Sequence, residues 1–181
     1  MGIPVIQGEI VSRVLALEHV DDECETFENE LIGREEKFRQ VVARVKPDHD
    51  LFVIFNIPAN TPSIFITVSD GDRNLIRQVI SNLEEIEKEG KQLEPTDVVA
   101  FEDKNLLASG VVAVVLVPLS VSGILCDLEE SFSLNGKVYR FCLVVFLSKD
   151  EHELWKKQGS DALVSYFDSV DKDLLTFSQF E

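Results

Sequence analysis

Apolar spacing along the chain divides it into elements. Ile10 to Leu17 (IVSRVLAL) fits a strand or a short helix, and its periodicity does not choose between them. Glu18 to Glu30 (EHVDDECETFENE) follows, with seven acids and not one Lys or Arg. Glu35 to Val45 places Phe38, Val41, Val42 and Val45 at i, i+3, i+4 and i+7, which predicts a helix with one apolar stripe. Pro47 ends it and Asp48 begins a turn. Leu51 to Ile57 (LFVIFNI) is dense in β-branched and aromatic residues and reads as a buried strand. Ile64 to Val68 (IFITV) is its hairpin partner across a loop punctuated by Pro58, Asn60 and Pro62.

Asp70-Gly71-Asp72 supplies N-cap chemistry for the next element. There Leu75, Ile76, Val79, Ile80, Leu83 and Ile86 share one helical face, closed by Gly90. Asp97 to Phe101 reads as a short strand and Asp103-Lys104-Asn105 as a turn. Val111 to Leu119 (VVAVVLVPL) is apolar at both parities, as a central strand covered on both faces would be. Ser131 to Leu134 and Lys137 to Leu147 form a hairpin around Asn135-Gly136, a pair suited to a type I′ turn. Ser148 and Glu151 have capping-box spacing for a helix reaching about Gln158. Gly159-Ser160-Asp161 interrupts it, and Ala162 to Val170 resumes with Leu163, Tyr166 and Phe167 as the apolar face. The tail, Asp171 to Glu181, is expected to be loosely held. The sum is an α+β fold: a single domain over 1–181, with a mixed, mostly antiparallel sheet and helices packed on it.

Charge narrows the partners. The 181 residues carry a formal net charge of −16. That argues against nucleic acid, which calls for a basic footprint, and against anionic membrane surface. The first twenty residues lack a basic stretch before an apolar core, so no signal peptide is read there. Val111 to Leu119 is about half the length of a spanning helix. Cys24, Cys126 and Cys142 are scattered and form no CxxC pair, which fits reduced thiols and a cytoplasmic location.

Candidate chemistry is sparse. No nucleophile elbow, phosphate loop, paired-glycine dinucleotide turn or HExxH is present. No catalytic residue, metal site or cofactor is assigned. His152, between Glu151 and Glu153, reads either as a base tuned by acids or as an exposed residue at a helix start whose positive form its neighbours favour; the second is preferred. His49 between Asp48 and Asp50 reads as a solvated turn. The lone Trp155 fits core packing. Glu18 to Glu30 has no glycine, so it is not a calcium loop. It is either a solvated, partly disordered face or an electrostatic docking surface for a basic partner. Phe27, an aromatic among carboxylates, favours docking. The residues expected to bind a partner are Asp21, Asp22, Glu23, Glu25, Phe27 and Glu28.

From Glu35 to Phe167 the element order and several segments resemble the bacterial branch of the Suppressor of fused (SUFU-like) family. VYRFCLVVFLSKDEHELWKKQGSDALVSYF is similar to that family's ending, with Gly159-Ser160-Asp161-Ala162-Leu163 intact; Phe146-Leu147-Ser148 replaces its usual proline-containing turn. DHDLFVIFNIPANTPSIFITVSDG resembles the family's hairpin, and Val111 to Pro118 its central strand. Residues 1–34 and 168–181 carry no match. The resemblance implies a single α+β domain that binds other proteins and has no catalytic residues. It further implies an immunity protein that covers a toxin domain, and the acidity suits a basic, possibly nuclease, toxin. The alternative is an enzyme or small-ligand protein whose site is assembled from distant residues, with Asp150, His152 and the cysteines as its material.

Overall fold

The computed structural model describes residues 3–30, 37–46 and 50–172. The chain begins with α1 (Ile3–Leu15), β1 (Val20–Glu30), β2 (Lys37–Val45), β3 (Phe52–Ile57), β4 (Ser63–Ser69) and α2 (Arg73–Lys88). It continues with β5 (Val98–Ala100), α3 (Lys104–Ala108), β6 (Ala113–Val117), β7 (Ser131–Leu134), β8 (Lys137–Leu147) and α4 (Lys149–Val170). A single mixed sheet of eight strands runs in the order β1-β2-β3-β4-β8-β6-β5, with β7 paired to β8. Among the described residues, only the β4–β8 pairing is parallel.

Both faces of the sheet are covered. On one, α1 and α4 close a core containing Ile10, Val14, Val41, Phe55, Ile66 and Leu163. On the other, α2 and α3 cover Val42, Ile54, Phe65, Val114 and Val144. Double cover explains why β3, β4, β6 and most of β8 read as near-continuous apolar runs rather than alternating ones. It also explains where the apolar spacing misleads. Glu35 to Val45 is not a helix: Lys37–Val45 is strand β2, and residues 31–36 lie outside the described residues. Val41, Ala43 and Val45 point to the α1 core and Val42 to the α2 core. Apolar residues at both parities of a doubly covered strand can fall at i, i+3, i+4 and i+7 by chance, and its three valines suit a strand.

Ile10 to Leu17 resolves as the end of α1 and its exit turn, with Ile10, Val14 and Leu17 buried at helical spacing. The acidic run becomes β1, an ordered strand at the end of the sheet. It is held by continuous pairing from Cys24↔Ala43 to Glu30↔Lys37, with an irregularity between Val20 and Cys24. Asp103 does not open a turn. It caps the five-residue α3, accepting the backbone N–H of Asn105 (2.9 Å) and Leu106 (3.1 Å). Elsewhere the expected chemistry is in place. Asp72 caps α2, Asn135 and Gly136 take positive φ (51° and 77°), and Ser148 and Glu151 form a reciprocal capping box. Gly159 breaks α4 at φ 85°. Pro47, Asp48, His49 and the tail from 173 onward lie outside the described residues.

Candidate functional site

Strand β1 and the first turns of α2 stand on either side of a trough on the α2 face of the sheet. Two cavities of about 360 and 390 Å³ adjoin there and share Glu25, Val42 and Arg73, so they form one continuous depression. Asp21, Glu23 and Glu25 of β1 make its acidic wall. Arg44 of β2 and Arg73 and Arg77 of α2 face them. Val42, Phe52 and Phe27 supply the apolar lining. The three guanidinium groups are stacked on aromatic rings. Arg73 lies 4.4 Å and Arg44 5.7 Å from the Phe52 centroid, and Arg77 lies 4.1 Å from that of Phe27. Each ring face attracts the cation above it, and Arg77 also donates to Asn74 Oδ1 at 3.2 Å. Asp72 lines the trough too, but its carboxylate accepts the N–H of Asn74 (2.8 Å) and Leu75 (3.2 Å) and is occupied with the helix cap.

The six sequence-predicted residues are not all on this surface. Asp21, Glu23, Glu25 and Phe27 line the trough. Asp22 is exposed on β1 but does not line it. Glu28 lies opposite Arg39 in the pairing with β2 and contacts Arg39 (3.1 Å) and Lys37 (3.6 Å). The hydrogen bond from Arg39, and then the charge of Lys37, hold its carboxyl below the usual range. Cys24 lines the trough, with its thiol pushed up by burial.

A second polar cluster lies beneath α2. Glu84 is wholly buried, and its Oε1 accepts the Asn56 amide at 2.8 Å. Asn56 Oδ1 in turn accepts the N–H of Phe65 (2.6 Å). Glu87 Oε1 accepts from Ser63 Oγ (2.6 Å) and from the N–H of Leu93 (3.3 Å). Burial outweighs the Asn56 hydrogen bond and pushes Glu84 up to about 7. No residue of this cluster lines the trough.

The groups named for a catalytic site stay apart. Cys24 is on β1, Cys126 in the β6–β7 connection and Cys142 in the α2-side core, where burial drives its thiol up to about 11. His152 corrects its expectation: it is buried and stacked on Trp155 at 5.8 Å, and burial lowers its pKa instead of the acids raising it. Trp155 packs half-buried on the α1-side core and donates to Ser160 Oγ (3.2 Å). Among the described residues, no group of three or more His, Cys, Asp and Glu is placed to hold a metal ion, and no helix is long and apolar enough to cross a membrane.

The sequence matches no family model and no curated protein. The architecture does have relatives. A SUFU (suppressor of fused protein) homolog from Neisseria gonorrhoeae FA 1090 superposes with a TM-score of 0.68 over 97% of this chain and 93% of that one, at 14% identity. The chain has a Suppressor-of-fused-like fold. A chain of the Sufu-Fu complex crystal structure is also similar, with a TM-score of 0.52 over 97% of this chain and 88% of that one, at 8% identity. At such identities the similarity speaks for the fold. It extends well beyond Glu35 to Phe167, because 97% coverage leaves too few residues over to omit α1 and β1.

Sequence reasoning had no reason to single out Arg44, Arg73, Arg77 or Phe52. They come from three elements, and only packing brings them together. The single local signal was Arg73 and Arg77 at i and i+4, one face of the first turns of α2.

Proposed function

We propose that this Suppressor-of-fused-like chain is a non-catalytic protein-binding domain that acts as an immunity protein in the cytoplasm, covering and silencing a basic toxin domain. The observation that carries the reading is the likeness of almost the whole chain to a chain of the Sufu-Fu complex. The net charge of −16 supports a cationic partner, since complementary fields speed encounter and disfavour wrong partners. Strand β1 carries Asp21, Asp22, Glu23 and Glu25 at the end of the sheet, and the last three are exposed. Phe27 adds an aromatic anchor beside them.

The test is capture followed by function. The tagged chain is used to isolate proteins from its native cell, identified by mass spectrometry, and each captured protein is assayed for toxicity with and without the purified chain. A basic protein whose toxicity disappears at one equivalent is the expected result. A captured protein that stays fully active when saturated overturns the immunity role.

A further inference from the structure

We infer that the trough between β1 and α2 binds an extended partner segment whose successive side chains alternate in charge, basic toward β1 and acidic toward the arginines. The inference rests on the protein-binding reading and specifies its recognition chemistry. It starts from opposite charges that face one another without closing. Asp21, Glu23 and Glu25 share the trough with Arg44 and Arg73, yet no ion pair joins these acids to these arginines among the described residues. Asp21 pairs instead with Lys46, at 3.9 Å. Arg44 and Arg73 are held on the ring of Phe52 rather than reaching across. Two walls of opposite sign therefore bound an open space over an apolar lining.

That arrangement is selective. A uniformly basic segment satisfies the β1 carboxylates but sets its charges against Arg44 and Arg73. A uniformly acidic one has the reverse problem. In an extended chain, successive side chains point to opposite sides. Alternating Lys and Glu therefore sends each sign to its own wall. Arg44 and Arg73, drawn to the Phe52 ring and joined to no carboxylate of the trough, can each receive a partner's carboxylate through paired donors.

The experiment sets this local pattern against the overall field of the protein. Two end-blocked peptides, Lys-Glu-Lys-Glu-Lys-Glu and Lys-Ser-Lys-Ser-Lys-Ser, are titrated into the full-length chain at low and physiological salt, with affinity read by calorimetry and location by amide shifts in NMR. A field set only by the net charge of −16 favours the purely basic peptide. The trough favours the alternating one, by about tenfold, with shifts confined to β1, Arg44 and the start of α2. Arg44→Glu with Arg73→Glu reverses the order; both side chains are exposed, so the fold tolerates the change, and circular dichroism checks it. Tighter binding of the basic peptide, or no shift at the trough with either peptide, overturns the inference. Toxin neutralisation measured on captured partners is a separate readout, so the immunity reading can stand while this one falls.

Discussion

At the scale of single residues, Glu84 is the group whose surroundings most alter its chemistry. It is fully buried under α2, one of its oxygens is held by Asn56, and Oε2 has no hydrogen-bond partner. Lys88 and Glu87 on its own helix act on it with opposite signs, and the N–H of Ala59 from the β3–β4 loop favours its charged form. Burial wins and raises the carboxyl from 4.5 to about 7. The sign follows directly. The folded state holds the proton more tightly than the unfolded one, so the stability linked to Glu84 is fully present below about pH 4.5 and falls away as pH rises through 7. The span amounts to roughly 3 kcal/mol. Glu84→Gln keeps the shape and removes the titration. Its unfolding free energy, measured in urea from pH 5 to 8.5, is expected to fall less across that range than the parent's and to equal or exceed it at pH 8.5. Parallel pH profiles would show that Glu84 is ionised throughout.

At the scale of elements, α4 owes its shape to one glycine. A straight helix of 22 residues would extend about 33 Å. Instead, Lys172, just past the end of α4, lies 2.7 Å from Glu151 in its first turn. Gly159, at φ 85° and ψ −176°, makes the reversal, in a region that side chains other than glycine avoid. Glu151 then serves both ends. Its Oε2 accepts the N–H of Ser148 in the capping box, and its Oε1 meets Lys172 in an almost fully buried pair. Leu163 plugs the second half into the α1-side core. Gly159→Ala is expected to cost about 1–3 kcal/mol, the range for such strained backbone. The loss should be local. Amide exchange should accelerate in Ser160–Val170 while β8 and the start of α4 keep their protection. Uniform acceleration across the sheet would show that the two halves of α4 do not open separately.

At the scale of the molecule, the proposed recognition draws on both net charge and shape. The summed field of −16 acts over distance and is screened over about 8 Å at physiological salt. The proposed role of the trough begins at contact. Replacing Asp21, Asp22, Glu23, Glu25 and Glu28 with Asn and Gln should therefore slow association with a cationic partner at low salt and flatten its salt dependence. Stopped-flow mixing with the partner identified by capture reads both. Restoring Asp21, Glu23 and Glu25 should slow dissociation more than restoring Asp22 and Glu28, because only the first three line the trough. An unchanged association rate at low salt would remove β1 from the interface.

Local chemistry in the sequence was enough for the β3–β4 hairpin, for α2 with its Asp72 cap, for the Asn135-Gly136 turn and for the Ser148–Glu151 capping box. Each depends on residues within a few positions of one another, where propensity and hydrogen bonding act without help from the rest of the chain. The family resemblance, carried by the segment from Val138 to Phe167, by the β3–β4 hairpin and by Val111 to Pro118, led to the right fold. Tertiary structure alone decided β2, because cover on both faces erases the alternation that marks a strand, and β1, because pairing with β2 orders a run of acids that has no apolar face of its own. It decided the environment of His152, whose burial outweighs the charges beside it in the sequence. It also decided the trough. Arg44, Phe52 and Arg73 lie on separate elements, and the physical reason they meet Glu23 and Glu25 is the antiparallel order β1-β2-β3 with α2 laid across it, a long-range arrangement that no local spacing encodes.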